Sequence, residues 1–451
     1  VPNQRYIMSS KSLLLSKIIT IVIGLFICAN NVNAQKITYY KDVAPIIQNK
    51  CQSCHRPGES APFSLLTYED VAKRGSFIKK VTQSGYMPPW KPDNHYRLFK
   101  NDRSLTNEEK LTIAKWVDAK MPMGNISETP KTAVKTFIEG TQYSRKPDLV
   151  LHTIKPFKVI GDNKERFIVF KIPFNIGAEN NVEAMEFFSS NKKVIHHANF
   201  AIHPVADDIE INQGADFLNL TEDDRTKYSQ YFPFKKTMTY YGGWIPGTSY
   251  ESYPNNFGWV MPKRGVILLT IHYAPVSKDE ESISGINFFF KKTPIKRKVE
   301  VISLGSAGVG ENAIEPYFFI PADSVRKFEL KITTPQDQSL LYIWPHMHYL
   351  GKIFKSYAVT PQQDTIQLVS IPSWDFRWQE IYQFKSLVKI PKGSVLTIEG
   401  TYDNTKSNPN NPSSPPRNVY SANDMKSTDE MMTMLLVFLP YKENDEQIEL
   451  K

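Results

Sequence analysis

The stretch Val266-Ile267-Leu268-Leu269-Thr270-Ile271-His272-Tyr273 is apolar almost throughout and then reaches an imidazole. It is short for a globular helix and carries β-branched residues, so it reads as a buried strand. Working outward, short alternating or apolar runs recur from about Lys146 onward between Pro, Gly, Asn and Asp. Phe167-Ile168-Val169-Phe170-Lys171-Ile172 and Val395-Leu396-Thr397-Ile398-Glu399-Gly400 are two of them. This spacing predicts two all-β, jelly-roll-like sandwich domains. Glycine and alanine interrupt the pattern at Gly305-Ser306-Ala307-Gly308-Val309-Gly310, dividing the region into 146–310 and 311–451.

His272 belongs to a wider pattern. Five of the nine histidines fall in three strand-like segments: His196-His197, His272, and His346-Met347-His348. Imidazole is the commonest metal ligand near neutral pH. Residues i and i+2 of a strand share a face, so His346 and His348 can hold one ion together. His196 and His197 are adjacent and point to opposite faces of a regular strand; both reach one ion only at a twist, bulge or strand end.

The region 35–125 has a different period. Cys51-Gln52-Ser53-Cys54-His55 is the c-type haem attachment pattern, in which two thiols add to the porphyrin vinyl groups and the next imidazole becomes an axial iron ligand. A redox dithiol expects a βαβ setting, and a zinc half-site needs further Cys or His nearby. Helices are predicted over 42–47, from Thr67 with an acidic capping box to Asp70, and from Thr106 with Glu109 three residues later. Leu105, Ile113, Trp116 and Val117 give the last of these an apolar face. The expectation is an all-α, cytochrome c-like domain carrying one covalently bound haem c. For the sixth ligand, Met87 in Tyr86-Met87-Pro88-Pro89-Trp90 fits best because the prolines stiffen the loop that presents the thioether. Met121, Met123 and His95 are its rivals. Residues 126–145, mostly polar, read as a linker.

At 451 residues, with 41% hydrophobic and 22% charged residues, the chain has ordinary globular composition and exceeds what one core usually supports. Met8, Lys11 and Lys17 precede the apolar run 18–27 and then Val32-Asn33-Ala34, which reads as a secretory signal over 1–34 cleaved before Gln35. That run is too short to span a bilayer, and no later one suffices. The expected location is therefore outside the cytoplasm, periplasmic or extracellular, with no membrane span in the mature chain. Removing 1–34, which carries Arg5, Lys11 and Lys17 and no acid, lowers the net charge from +9 to +6. Residues 35–125 hold 15 basic and 9 acidic residues, so the excess lies there and suits docking of an acidic redox partner. Nothing resembles a nucleic-acid stripe.

Taken in order, His196-His197, Trp244-Ile245-Pro246-Gly247, Ile271-His272-Tyr273, His346-Met347-His348-Tyr349-Leu350-Gly351-Lys352 and Thr428-Asp429-Glu430-Met431 resemble the copper type II, ascorbate-dependent monooxygenases, the group of peptidylglycine α-hydroxylating monooxygenase and dopamine β-monooxygenase. The resemblance covers roughly 146–441. It implies two β-sandwich domains with one copper each. His196, His197 and His272 would hold an electron-transfer copper, and His346, His348 and Met431 the copper where oxygen and substrate react. A soft thioether favours Cu(I), and imidazoles suit both copper states. Two departures stand out. The family's structural disulfides have no cysteines to form from, and Trp344 replaces the arginine that grips a peptide carboxylate, which points away from peptide amidation.

The function implied is an exported monooxygenase with two copper ions and one haem c, hydroxylating a C–H bond of a small molecule with O2. Single electrons would come from ascorbate or a redox protein through the tethered haem. The alternative is a redox or copper-binding electron-transfer module without hydroxylase activity. In a third reading the haem is a sensor or a docking unit.

Overall fold

The computed structural model describes residues 36–130, 140–222, 225–248, 250–254, 256–421 and 428–450. The expected signal segment 1–34 and residues 131–139 of the expected linker lie outside the described residues.

The apolar runs pair as strands. β1 (Arg166–Asn175), β2 (Ile195–Pro204), β3 (Tyr240–Trp244) and β4 (Arg264–Tyr273) form a five-stranded sheet with the short strand Phe217–Asn219 at its edge, β4 lying between β1 and β2. A central strand covered on both faces needs the unbroken aliphatic run that β4 carries. In the C-terminal half, β5 (Glu300–Gly305), β6 (Gln338–His346), β7 (Tyr382–Ile390) and β8 (Thr433–Pro440) pair in the order β5-β8-β6-β7. β5 precedes the expected division at 310 yet pairs with β8 near the C-terminus. A six-stranded sheet around Asn180–Ser189 and a five-stranded sheet around Val395–Asp403 accompany these two.

Apart from 3-10 segments such as Arg225–Phe234, helix among the described residues is short: a π-helical turn Tyr39–Val43, then α1 (Ala44–Lys50), α2 (Tyr68–Ala72), α3 (Gly75–Gln83) and α4 (Asn107–Asp118). The capping boxes at Thr67/Asp70 and Thr106/Glu109 are both formed. Ile47, Val71, Ile78, Ile113 and Trp116 make a small buried cluster among these helices. Among the described residues no helix is long and apolar enough to cross a membrane.

The expected fold class, an all-α cytochrome c-like domain ahead of two separate jelly-roll-like sandwiches, is corrected by this architecture. Among the described residues about 38% are strand and 16% helical, and the five short α- and π-helices, the longest of 12 residues, do not amount to a sizeable all-α domain. Between α3 and α4 the chain leaves the helices and lies across the C-terminal sheet. The Asp93 N–H donates to the Ser370 carbonyl at 2.8 Å and the Lys100 N–H to the Gln383 carbonyl at 2.7 Å, while Trp90 and Phe99 pack on Tyr382. Aromatic side chains find more apolar surface on the sheet than five short helices can offer, and the hydrophobic effect scales with that area. Nor do the halves keep separate cores: one buried cluster runs from Phe99 and Val159 to Phe438 and Leu450. Trp344 of β6 is pressed onto Gly243 of β3, where even a β-carbon would collide with the indole. Its ring therefore fills the contact between the halves.

A buried polar group sits in the same region. Glu251 accepts hydrogen bonds from the Tyr240 and Tyr253 hydroxyls, and the Tyr342 hydroxyl donates to the Ser252 carbonyl. Those bonds favour the ionised carboxylate, but burial outweighs them and pushes the carboxyl up to about 7. The folded chain thus retains a proton that the unfolded chain releases near 4.5. Stability from this group is complete below about pH 4.5 and is lost as pH rises through about 7, in all about 3 kcal/mol. Denaturant unfolding of Glu251→Gln at pH 5 and pH 8 is expected to show that difference removed.

Candidate metal centre

The three histidines of the N-terminal half meet through a defect in strand pairing. β4 and β2 run antiparallel in unbroken register from Gly265↔Pro204 to His272↔His197, and the register then slips so that Tyr273 faces Ile195. His196 is the extra residue of this bulge, the irregularity that two adjacent ligands require. The His196 and His272 rings lie 4.8 Å apart and the His197 and His272 rings 5.0 Å apart. His272 is fully buried and stacks at 4.0 Å on Phe167, its partner across the ladder on β1.

A carboxylate joins them. Glu165, immediately before β1, places Oε2 3.1 Å from His272 Nε2 and Oε1 4.0 Å from His196 Nδ1, and accepts a hydrogen bond from the Tyr349 hydroxyl at 3.2 Å. Sequence reasoning missed it, since a lone acid in Lys164-Glu165-Arg166 carries no spacing signal. Neither nitrogen of His272 makes an aligned hydrogen bond, despite the 3.1 Å approach of Glu165. Burial, followed by the neighbouring His272, lowers His196 to about 4. Burial also holds His197 well below the usual imidazole range. Both are neutral at pH 7, the form that binds metal.

The C-terminal ligands also stand at a strand end. His346 is the last residue of β6 and pairs with Thr433, the first of β8. Two residues past the end of the ladder on each strand stand His348 and Met431, and both are buried. The His346 and His348 rings are 5.0 Å apart. His346 Nδ1 lies 2.5 Å from Gln379 Oε1, whose amide is oriented by donating to the Phe376 carbonyl, and His348 Nδ1 lies 2.9 Å from the Asp429 carbonyl. Each contact needs a proton on Nδ1 and so puts the lone pair on Nε2, the arrangement of a metal-binding imidazole. Glu430 ties the two segments together. Its buried carboxyl accepts from the backbone N–H groups of His348 (2.9 Å), Leu350 (2.6 Å) and Met431 (3.2 Å). Burial pushes that carboxyl up to about 8 against those three donors.

The two groups are contiguous, where one site per domain was expected. The His197 and His346 rings are 6.3 Å apart, and Phe376 covers His197, His346 and His348 at 5.6, 6.4 and 5.4 Å. Both groups lie at strand ends of halves that share one core, which brings them together.

A cavity of about 480 Å3 adjoins this centre. Cys51, Cys54, His55, Phe77, Met87, His196 and Phe376 are among its lining residues, and most of the lining is apolar. His55 Nδ1 lies 3.1 Å from the Phe63 carbonyl, which leaves Nε2 as the ring's ligand atom. Burial pushes the Cys51 thiol up to about 12, unlike an activated redox thiol. Met87 lines the cavity, whereas Met123 and His95 are exposed and the Met121 sulfur packs beside Gly75. The Cys54 loop is docked by Arg103, which pairs with Glu380 and donates to the Gly247 carbonyl at 2.7 Å, and by the buried Glu59–Lys192 pair at 3.1 Å. Gly247 has φ +91°, and a side chain there would strike Arg103 and the Cys54 sulfur.

No family model matches the chain, and no curated protein matches it. Among solved structures, the chain is similar to an infectious bursal disease virus Gx strain structure (10% identity, 68% of this chain and 77% of that one, TM-score 0.19). It is also similar to the STIV MCP (10% identity, 66% and 96%, TM-score 0.25) and to PNGF-II (10% identity, 66% and 63%, TM-score 0.20). At these scores the likenesses carry no argument about fold or function.

The donor set fits copper: neutral imidazoles, a carboxylate and a thioether, with an orphaned buried imidazole at the centre. The cavity fits a haem in the kind of side chains it presents, two thiols and an imidazole among apolar walls.

Proposed function

We propose that this chain is an exported copper monooxygenase that hydroxylates a C–H bond of a small molecule with O2, drawing single electrons from ascorbate or a redox protein through a covalently bound haem c. One observation carries the reading: five histidines gather beside a cavity that also presents Cys51, Cys54 and His55, and Glu430 ties the Met431 backbone to that of His348. Copper bound here supplies one-electron redox chemistry and a place for oxygen, and haem supplies a one-electron carrier.

The rest is the work of the chain. Cys51 and Cys54 would anchor a haem, and His55 and Met87, which line the same cavity, would hold its iron. His196 lines the haem cavity and also reaches His272, so the electron entry site and the carrier share a wall. His346, His348 and Met431 form the site facing oxygen and substrate. Gln379 and the Asp429 carbonyl hold the two imidazoles in the ligating tautomer, and the Phe376 ring packs against both. Trp344 is committed to packing on Gly243, so substrate specificity rests on other residues of the centre.

The test is substrate-dependent oxygen uptake by the full chain loaded with two copper and one haem, assayed over small aromatic, amine and peptide substrates. Wild type is expected to couple oxygen uptake to hydroxylated product, with Met431→Ala and His348→Ala at least about 100-fold slower. A fully loaded protein that turns over none of the panel would overturn the reading in favour of an electron-transfer module.

A further inference from the structure

We infer that the metal nearest the haem cavity is held by Glu165, His196 and His272, a carboxylate–imidazole set, with His197 standing between the two metal sites. The inference rests on the copper reading above and deepens it. One oxygen of Glu165 and one nitrogen each of His196 and His272 lie within 4.8 Å of one another. Donors on a common ion sit roughly 3–4 Å apart when each bond is about 2.0–2.2 Å, so these three close on one ion with little movement.

A second observation points the same way. His272 is completely buried, stacked on Phe167, and neither ring nitrogen makes an aligned hydrogen bond. A buried imidazole without such bonds loses the free energy of its unmet polar atoms unless something else takes them up. A plain Glu165–His272 ion pair would align the 3.1 Å contact as a hydrogen bond, and it does not. Tyr349 donates to the other carboxylate oxygen and so orients the group from the far side. His197 stands beside this trio but outside its 4.8 Å donor cluster: its ring is 5.0 Å from His272 and 6.3 Å from His346, so it faces both groups.

An anionic oxygen donor is hard and favours Cu(II) over Cu(I). Glu165 would therefore lower the potential of a copper held here relative to one held with the thioether of Met431, a difference that favours transfer from the first site to the second.

The experiment is chelator competition for Cu(II) and Cu(I), with electron paramagnetic resonance, on the haem-loaded full chain carrying Glu165→Gln or His197→Ala. Glu165→Gln preserves side-chain shape at a partly exposed position, and near-ultraviolet circular dichroism reports whether it folds. It is expected to weaken one of the two Cu(II) ions by at least ~10-fold, the lower end of what even outer-shell losses cost. Cu(I) binding should change by less than about 3-fold, the cupric hyperfine splitting of that site should change, and its potential should rise. Glu165→Asp should restore Cu(II) binding in part. The inference is overturned if Glu165→Gln binds both Cu(II) ions like wild type with an unchanged spectrum, or if His197→Ala, and not Glu165→Gln, removes the ion on the cavity side. Should Glu165→Gln behave as expected while no substrate is ever hydroxylated, the site stands and the monooxygenase reading fails. Should hydroxylation be found with Glu165→Gln binding unchanged, the reverse holds.

Discussion

Replacing Glu430 by alanine is expected to destabilise the fold by about 3 kcal/mol and, under the proposed function, to remove the copper assigned to His346, His348 and Met431, cutting copper per chain from two to one. Three backbone N–H groups end on that one carboxyl, those of His348, Leu350 and Met431, and the residue is fully buried. Each donor left unmet in the interior costs on the order of 1–3 kcal/mol, and removal of the costly buried carboxyl offsets part of the sum. The consequence for the site is larger than the consequence for stability. His348 and Glu430 stand 82 residues apart in sequence, and Glu430 is the shared acceptor that holds the backbones of His348 and Met431 side by side. Urea unfolding gives the first number and elemental analysis the second. Asp429→Ala serves as a contrast, because His348 uses only the Asp429 carbonyl, which alanine retains. A Glu430→Ala protein that still binds two copper ions would mean that the ligands are held without this anchor.

Phe99→Ala is expected to lower the stability of the whole β-region by about 3–5 kcal/mol, the usual cost of emptying a buried phenylalanine site. Phe99 comes from the segment between α3 and α4, is 1% exposed, bridges to Phe384 and packs against Trp90, Tyr382 and Phe384 within the main core. An autonomous N-terminal domain would confine the damage to itself. Here tryptophan fluorescence from the β-region and the haem Soret signal are expected to shift together to lower denaturant. A second readout follows from the cavity, whose N-terminal wall depends on this docking: reoxidation of reduced haem by bound Cu(II) should slow by at least about 10-fold. Unfolding in two separate steps, with only the haem step displaced, would contradict the shared core.

Legibility in the sequence followed the range of the interaction. The strands were readable because an apolar run such as Val266 to Ile271 can satisfy its backbone and bury its side chains only within a sheet. The capping boxes at Thr67 and Thr106 were readable because their partners lie three residues away. The separate all-α domain was misjudged. Helix-forming signals at 42–47, Thr67 and Thr106 say nothing of where the residues between them go, and Trp90 and Phe99 go to the sheet. The buried cluster common to both halves was not legible for a related reason, since alternation marks a strand's faces without telling which sheet will cover them.

What the sequence by itself determined is the inventory of chemistry: which residues are imidazoles, thiols and thioethers, and that His346 and His348, or Cys51, Cys54 and His55, stand close enough along the chain to act together. Only the tertiary structure decided how these are grouped. The β-bulge at His196, the anchoring of His348 and Met431 by Glu430, the arrival of Glu165 beside His272, and the meeting of His197 with His346 all depend on segments tens to hundreds of residues apart. Spacing along the chain encodes local geometry, whereas these contacts follow from how two β-halves with one common core pack against each other.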